Sequence, residues 1–183
     1  MGAGKSSVGR ALAARLGWTF EDLDERIERR EGRTIAEIFR ESGEAEFRRV
    51  EHERLKELLA ETGEERGKIM ALGGGAFIEN RNLKMVENSG VPTILLDATV
   101  EELWLRCCAQ ADREGMARPL LSNREGFAGL YNARRPVYLK ASMRYETEGK
   151  TIEQIAAELA AIFTGSTRKT GARRSHGKSG EKH

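Results

Sequence analysis

The length, composition and charge of the chain limit the classes of protein to which it can belong. It has 183 residues, of which 39% are hydrophobic and 33% are charged, and its formal net charge is +2. A chain of this length corresponds to about one domain. It contains neither an apolar run near the roughly 20 residues that a membrane span requires nor a secretory signal. The two cysteines, Cys107 and Cys108, are adjacent and offer no disulfide framework. The sequence therefore predicts a soluble protein of a reducing compartment.

Helices and short apolar runs alternate along the body of the chain. Three of the helices are predicted by a threonine followed three residues later by Glu or Gln, which is the capping-box pattern. In chain order, the predicted elements are helix 6–16, strand 18–22, a helix from Glu25, a helix from Thr34 (with Glu37), helix 44–59, strand 68–72, strand 92–96, a helix from Thr99 (with Glu102), strand 143–147 and a helix from Thr151 (with Gln154). Short buried strands between helices predict an α/β fold, in which a parallel sheet has helices on both faces.

The first ten residues, MGAGKSSVGR, contain the end of a phosphate-binding loop. Gly4, Lys5 and Ser6 match the last three positions of the pattern G-x-x-x-x-G-K-[ST], whose leading glycine would precede Met1. In such a loop, small residues let backbone N–H groups converge on phosphates, the lysine reaches the outer phosphates and the hydroxyl binds Mg²⁺. The alternative is a flexible N-terminus rich in Gly and Ser. The helix that follows at once favours the phosphate loop.

Two acidic residues follow the first predicted strand. Asp22 and Asp24 are two residues apart, so in an extended chain both side chains project to the same side. They would lie at the carboxyl edge, where open α/β sheets bind ligands. One carboxylate could join the Mg²⁺ shell while the other accepts a hydroxyl proton during phosphoryl transfer. The alternative is an acidic cap for the helix from Glu25.

A glycine run and several arginines complete the candidate site. The segment LGGGA, residues 72–76, ends a predicted strand, and its glycines either let the backbone approach a ligand or form a flexible strand exit. Arg48, Arg118 and Arg134 stand in the segments GEAEFRRVE, ARPLL and YNARRPVY. A guanidinium group suits carboxylates and phosphates because it is a flat, two-pronged donor. For each arginine, a solvated surface position is the alternative.

The C-terminal segment differs from the rest of the chain. Residues 165–183 carry a charge of +5, which leaves about −3 on the remainder. The segment has no aliphatic residue larger than Ala172 and no periodicity, which predicts a disordered basic tail over residues 164–183. No aromatic residue interleaves its charges to stack on bases. This favours a solubilising extension over the alternative, a weak tether to nucleic acid or an anionic surface.

At these motifs the sequence resembles the shikimate kinase family, which consists of P-loop enzymes related to nucleoside monophosphate kinases. The resemblance covers about residues 1–163 and is carried by MGAGKSSVGR, F-x-D-x-D from Phe20 to Asp24, GRTIAEIF, GEAEFRR, LGGGA, ARPLL and R-x-P-x-Y. It implies a three-layer fold and transfer of the ATP γ-phosphate to the 3-hydroxyl of shikimate. The products would be shikimate 3-phosphate and ADP, made in aromatic amino acid biosynthesis. It also implies a cytoplasmic monomer that uses ATP and Mg²⁺, with no membrane or nucleic-acid partner.

The resemblance assigns a role to each matching residue on the ATP side. The ATP phosphates would be bound by Gly2, Ala3, Gly4, Lys5, Ser6 and Ser7. Lys5 would also stabilise charge that develops during transfer, and Ser6 and Asp22 would hold the metal. Arg118, a catalytic residue on a lid at about residues 109–123, would close on the phosphates. Arg106 is a weaker match and would lie near the adenine.

On the substrate side, the resemblance implies that Asp24 holds the shikimate hydroxyls and acts as the base. Arg48 and Arg134 would clamp the shikimate carboxylate. The glycines Gly73, Gly74 and Gly75 would line the substrate. Both sets of residues are present in the sequence, which favours an active enzyme over an inactive kinase-like binding protein. Arg48, Arg134 and the triple glycine favour shikimate over another small hydroxy acid such as gluconate.

Two features depart from the family pattern. The segment CAQADREGMA, residues 108–117, is longer than the usual approach to the lid motif. The family's first strand is the central strand of a five-stranded parallel sheet, and it would fall before Met1. We therefore expect Met1 to be an internal methionine of the natural protein. We also expect the chain from Met1 to be marginally stable and to bind ATP weakly.

Overall fold

The computed structural model describes residues 2–61, 67–114 and 123–171, with the backbone alone for residues 112–114 and 165–171. Within these ranges the chain forms eight helices and four strands. The helices are α1 (Lys5–Leu16), α2 (Leu23–Glu31), α3 (Ile35–Ala60), α4 (Gly74–Ile78), α5 (Asn80–Ser89), α6 (Val100–Glu114), α7 (Arg124–Tyr138) and α8 (Ile152–Gly171). The strands are β1 (Thr19–Asp22), β2 (Lys68–Ala71), β3 (Ile94–Asp97) and β4 (Met143–Glu146).

Local capping interactions begin two of the helices at the predicted residues. Before α3, the Thr34 hydroxyl accepts a hydrogen bond from the Glu37 amide at 3.2 Å, and the Glu37 carboxylate accepts one from the Thr34 amide at 2.8 Å. Before α8, Thr151 and Gln154 exchange the same two bonds at 3.2 and 2.8 Å. Both capping boxes are confirmed, and each satisfies two backbone groups that a bare helix end would leave unpaired.

Helix α3 contains a break at Gly43, where φ is 79° and ψ is 175°. The sequence predicts one helix from Thr34 and another over residues 44–59, and Gly43 is the junction between them. A positive φ is accessible to glycine at no steric cost. Phe39 and Phe47 pack across the break with their ring centroids 4.5 Å apart. The axis of the second half of α3 therefore need not continue the axis of the first half.

Other elements differ from those predicted. Helix α2 begins at Leu23 rather than Glu25. Helices α4, α5 and α7 lie in segments for which the sequence predicted no element. The last helix continues to Gly171, beyond residue 164, where the sequence predicts the start of a disordered tail. Residues 172–183 lie outside the described residues, so that division of the chain stays a prediction.

The four strands form two parallel pairs. In the first pair, β1 and β2 run in register from Thr19 opposite Lys68 to Asp22 opposite Ala71. In the second pair, β3 and β4 run in register from Ile94 opposite Met143. The predicted α/β class with parallel strands is confirmed. Among the described residues, however, the strands make two separate two-stranded sheets rather than one continuous sheet.

The core lies in three clusters of buried apolar side chains. One cluster joins α2, α3, α4 and α5, with Leu23, Ile27 and Leu55 fully buried. A second joins α1 and α8 to β3 and β4, and a third joins α6 to α7. In the described parts of the chain, no helix is long and apolar enough to cross a membrane. The carboxyl ends of the strands meet the starts of α1, α2 and α4, which form the candidate site.

Candidate active site

The start of α1 forms one wall of the site. Gly2 and Gly4 have φ values of 63° and 73°, a backbone conformation that side chains disfavour. A Cβ atom at Gly2 would lie 2.5 Å from the Leu103 carbonyl oxygen, so the loop packs tightly against α6. The first turn of α1 contains Lys5 and no acidic residue. Its free N–H groups and its lysine therefore present positive charge to a ligand.

Ser6 and Asp22 bring two oxygen ligands together beside this helix. The Ser6 hydroxyl donates to the Asp22 carboxylate at 2.5 Å, and Asp22 also accepts the Asp24 amide at 3.0 Å. Asp22 is buried and is the N-cap of α2. A hydroxyl and a carboxylate at a phosphate loop are a donor set that suits Mg²⁺, which takes its remaining ligands from phosphates and water. The side chains present therefore fit the metal that the sequence implies.

Asp24 lies in the first turn of α2 rather than in extended chain. The predicted reason for its position, the alternation of a strand, is wrong: the Asp22 side chain caps the backbone at Asp24 and starts the helix there. Asp24 nevertheless reaches the site. Burial, together with the negative charge of Asp22, raises the pKa of Asp24 to about 6, although Lys5 opposes the shift. A carboxylate in this setting is a better proton acceptor than an exposed one.

Each of the three glycines after β2 lies against a different polar side chain. A Cβ atom at Gly73 would lie 3.0 Å from an Asp24 carboxylate oxygen, one at Gly74 would lie 2.6 Å from the Tyr138 hydroxyl, and one at Gly75 would lie 2.8 Å from an Arg48 nitrogen. Side chains at these positions would displace the polar groups. The glycine segment therefore brings an acid, a phenol and a guanidinium group around one short stretch of backbone.

Arg48 is held by a buried acid that sequence reasoning missed. Its guanidinium group donates to Glu51 at 2.8 Å and to Glu44 at 3.4 Å. Glu51 is only 1% exposed, and this burial raises its pKa. The spacing of three residues on one helix could have indicated the pair, but burial of Glu51 depends on the packing of α3. Glu51 fixes the direction in which Arg48 points.

Tyr138 is a second residue that sequence reasoning missed. Its hydroxyl donates to the Gly74 carbonyl oxygen at 3.2 Å. Burial raises the pKa of Tyr138, and Arg134, which interacts with the same hydroxyl, opposes the shift. Tyr138 closes the R-x-P-x-Y string from which only Arg134 was assigned a role. It connects the glycine segment to the helix that carries Arg134.

Asp97, at the carboxyl end of β3, organises the neighbouring part of α7. It is 2% exposed and accepts hydrogen bonds from Tyr131 at 2.7 Å, Arg135 at 3.1 Å and Arg144 at 2.6 Å. These bonds hold the pKa of the Asp97 carboxyl below its usual range, against the effect of its burial. Arg135 thus supports the fold, whereas the adjacent Arg134 lies beside Tyr138 and the glycines.

The remaining predicted residues are placed as follows. The Arg106 guanidinium group donates one hydrogen bond to the Thr147 hydroxyl and one to the Thr147 carbonyl oxygen, both at 3.0 Å. It also donates to Glu102 at 3.0 Å. Ala3 packs against the cores formed by α1 with α8 and by α6 with α7, and Ser7 is exposed on α1. Arg118 and most of the predicted lid lie outside the described residues.

Comparison with known proteins gives one consistent result. The family model for shikimate kinase matches residues 1–163. A shikimate kinase of Persephonella marina is 38% identical over 87% of this chain and 92% of its own length. One of Geobacter sulfurreducens is 40% identical over 87% of this chain and 84% of its own length. Among solved structures, the shikimate kinase of Acinetobacter baumannii in complex with shikimate has a TM-score of 0.76 and 32% identity, covering 91% of this chain and 89% of that protein. The chain belongs to the shikimate kinase family, whose members are ATP-dependent phosphotransferases.

Proposed function

We propose that this chain transfers the γ-phosphoryl group of ATP to the 3-hydroxyl of shikimate through the residues gathered around the glycine segment. The observation that carries the proposal is that Gly73, Gly74 and Gly75 lie against Asp24, Tyr138 and Arg48, respectively. These groups combine a base, a hydrogen-bond donor and a cation within one small site. A substrate with several hydroxyls and a carboxylate is the complement of that set.

The start of α1 would hold the nucleotide. Backbone N–H groups of residues 2–7 and the Lys5 ammonium group would bind the phosphates and neutralise the negative charge that collects during transfer. Ser6 and Asp22 would hold Mg²⁺, which would neutralise charge on the phosphates when bound. Arg118 would add a further cation from the lid. Little covalent chemistry is required of the protein, so positioning of the two substrates is its main contribution.

Asp24 would be the base for the attacking hydroxyl. A carboxylate with a pKa of about 6 is mostly ionised near neutral pH, so it can accept the hydroxyl proton. The hydroxyl oxygen then forms a bond to the γ-phosphorus while the bond to the bridging β–γ oxygen breaks. ADP leaves and the proton stays on Asp24 until it is lost to solvent. Arg48 and Arg134 would hold the carboxylate of shikimate throughout.

The proposal also covers the compartment, the oligomeric state and the partners of the protein. We infer that it acts in the cytoplasm as a monomer on a small-molecule substrate, without a nucleic-acid partner. Both guanidinium groups proposed to hold the carboxylate lie near the glycine segment. This arrangement supports shikimate over gluconate, and over a binding protein without activity.

The test is an ADP-release assay with adjacent arginine variants. Shikimate should stimulate ADP release from MgATP far more than gluconate does. Arg134→Ala should raise the KM for shikimate about 10- to 100-fold, as expected for loss of a charged hydrogen bond, and should leave the KM for ATP within about twofold. Arg135→Ala is the matched control, because Arg135 is bonded to Asp97. It should lower the melting temperature and have little effect on the KM for shikimate. ADP release that does not depend on shikimate, or an Arg134→Ala effect confined to ATP, would overturn the proposal.

A further inference from the structure

The main chain of Arg48 is bound by a residue that the proposed mechanism does not use. The Arg81 guanidinium group, in the first turn of α5, donates a hydrogen bond to the Arg48 carbonyl oxygen at 2.7 Å. The two residues are 33 positions apart in the chain, so the packing of α5 against α3 brings them together. Hydrogen bonds from charged donors are stronger than those between neutral groups. This contact therefore ties the start of α5 to the main chain of α3 at Arg48.

A second contact joins the same two helices one turn further along α3. The His52 ring nitrogen Nδ1 lies 2.7 Å from the side-chain oxygen of Asn82, and Asn82 is fully buried. Arg48 and His52 are four residues apart, so they lie on the same face of α3. Arg81 and Asn82 are adjacent on α5. Helix α5 is thus fixed to α3 at two points rather than one.

The segment that carries Arg81 also contacts the side chain of Arg48. It begins with the glycines, since α4 starts at Gly74 and α5 starts at Asn80. A Cβ atom at Gly75 would lie 2.8 Å from an Arg48 nitrogen, so the guanidinium group of Arg48 lies close to this backbone. The segment therefore contacts Arg48 twice, with Gly75 beside its guanidinium group and Arg81 at its carbonyl oxygen. These two contacts set the position of Arg48 relative to the glycines.

The charges around Arg48 give Arg81 a second effect. Arg48 donates to Glu51 and Glu44, and Glu79 lies 3.8 Å from the Arg81 guanidinium group. Burial raises the pKa of Glu51, and the negative charge of Glu79 adds to this effect. The positive charges of Arg48 and Arg81 oppose it. A substrate carboxylate would add a further negative charge to these three acids, and Arg81 offsets part of the resulting repulsion.

We propose that Arg81 is a positioning residue for substrate binding and that it acts through Arg48. It fixes the main chain of Arg48 relative to the glycine segment and offsets the surrounding acids, so the Arg48 guanidinium group stays available to the substrate. This inference rests on the proposed function, in which Arg48 holds the carboxylate of shikimate. Loss of Arg81 should therefore weaken the binding of shikimate and leave the binding of ATP unchanged.

The first test compares Arg81→Ala with Arg81→Lys, which keeps a charged donor. Arg81→Ala should raise the Kd for shikimate, measured by calorimetry without nucleotide, about 3- to 10-fold, the effect of one hydrogen bond. The KM for shikimate should rise equally, whereas kcat and the KM for ATP should stay within about twofold. Arg81→Lys should bring the Kd at least halfway back on a logarithmic scale. Arg49→Ala is the matched control, because Arg49 bonds to Glu46 and Glu53 on the exposed side of α3, and it should leave the Kd unchanged.

The second test is a double-mutant cycle, which asks whether Arg81 acts through Arg48. Arg81→Ala is introduced into the original chain and into Arg48→Ala, and the Kd for shikimate is measured in all four proteins. If Arg81 acts through Arg48, its replacement should change the Kd less than about twofold once Arg48 has been replaced. An equal effect of Arg81→Ala in both backgrounds would overturn the proposal. A fall in kcat together with a rise in both KM values would also overturn it, because general loosening of the fold would then explain the result.

The two tests also separate this inference from the proposed function. If the original chain neither bound shikimate nor released ADP in response to it, the proposed function would be wrong. If the original chain did both, and Arg81→Ala bound shikimate as tightly as Arg49→Ala does, only the role of Arg81 would be wrong. Failure of Arg81→Lys to recover affinity would likewise count against Arg81 alone.

Discussion

The Tyr138 hydroxyl donates to the Gly74 carbonyl oxygen at 3.2 Å, and a Cβ atom at Gly74 would lie only 2.6 Å from that hydroxyl. The contact thus requires both the Tyr138 hydroxyl and the absence of a side chain at Gly74. It holds α7 in register with the glycine segment. Arg134, one turn earlier on α7, interacts with the same hydroxyl, and Arg48 lies against the neighbouring Gly75. A single hydrogen bond between distant parts of the chain thus connects the helix that carries Arg134 to the glycine segment beside Arg48.

The first prediction concerns this bond. Tyr138→Phe removes the hydroxyl and keeps the ring, so α7 can shift relative to the glycines. We expect the KM for shikimate to rise about 2- to 10-fold, which corresponds to the net free energy of one hydrogen bond. The KM for ATP should stay within twofold. Steady-state kinetics with each substrate varied in turn measures both quantities.

Tyr145→Phe is the matched control for this change. The Tyr145 hydroxyl donates to Glu158 at 2.5 Å, in the pair formed by β4 with α8, so its loss should leave the KM for shikimate unchanged. A similar rise in both variants would mean that any loss of a tyrosine hydroxyl loosens the fold. In that case Tyr138 would have no particular role in placing Arg134.

The second prediction concerns Gly75. Gly75→Ala places a methyl group 2.8 Å from the original position of an Arg48 nitrogen, so the flexible guanidinium group must move away from it. We expect the KM for shikimate to rise about 10-fold, the size of one weakened charged contact, with little change in the melting temperature. Kinetics and a thermal melt on the same preparation distinguish displacement of Arg48 from unfolding.

Gly129→Ala provides the comparison for Gly75→Ala. A Cβ atom at Gly129, on α7, would meet nothing within 4 Å. Alanine there should stabilise the helix by up to about 1 kcal/mol and leave the KM for shikimate unchanged. If Gly75→Ala behaved in the same way, Arg48 would not be the group that the glycine accommodates.

The third prediction concerns Asp24. Asp24→Asn should lower kcat by roughly 10²- to 10⁴-fold, the usual contribution of a general base. The same change should stabilise the protein at neutral pH. The pKa of Asp24 is about 6 in the folded chain, against 3.8 for an ordinary aspartate. The folded state therefore holds the proton more tightly than the unfolded state does, and the ionised carboxylate destabilises the fold.

The direction of the Asp24 pKa shift determines the pH range over which Asp24→Asn changes the stability of the protein. The stabilising contribution of protonated Asp24 is complete below about pH 4 and is lost as the pH rises through about 6. Asp24→Asn should therefore melt at the same temperature as the original chain near pH 4 and at a higher temperature at pH 7 to 8. The difference corresponds to about 1 to 3 kcal/mol. Thermal melts in metal-free buffer with EDTA measure it, and a difference that is constant across this range would contradict the assignment.

The fourth prediction concerns Ser6. Ser6→Ala removes the hydroxyl that donates to Asp22 at 2.5 Å, so one proposed metal ligand is lost. The Mg²⁺ concentration that supports half-maximal ADP release should rise about 10-fold, which is in the range for a change to a metal's surroundings, and the KM for shikimate should change little. Ser89→Ala is the control, because that hydroxyl donates to the Val86 carbonyl on α5. Equal Mg²⁺ requirements in both variants would show that Ser6 is not a ligand of the metal.

Local sequence predicted the elements whose ends are set by nearby residues. The capping boxes at Thr34 and Thr151 and the break at Gly43 involve residues within one turn of the chain, so their signals can be read directly. The start of α2 was placed too late because the Asp22 side chain bonds to the backbone at Asp24. That side-chain cap starts α2 directly after β1, two residues before the predicted start.

Features that depend on distant contacts were not predicted. Burial of Glu51 follows from the packing of α3, and the role of Tyr138 follows from its bond to Gly74, 64 residues earlier. The position of Arg106 near the adenine stays a prediction, and its bonds to Thr147 could not be predicted from the sequence. That pairing is set by the approach of α6 to the end of β4. Charged residues are common in this chain, and spacing alone does not select their partners.

The division of the strands into two pairs also determines how the molecule can open. The pair β1–β2 contributes Met70 to the cluster that joins α2 to α5, and the pair β3–β4 contributes Leu96 and Tyr145 to the cluster of α1 and α8, which also contacts Ile69 of β2. Local opening can therefore begin in either half, although α1 connects the two. Arg48 belongs to the first half, whereas Arg134 is on α7, which is bonded through Arg135 to Asp97 in the second. A single small molecule held by both arginines would link the two units. Substrate binding would then slow hydrogen exchange in strands that the substrate never contacts.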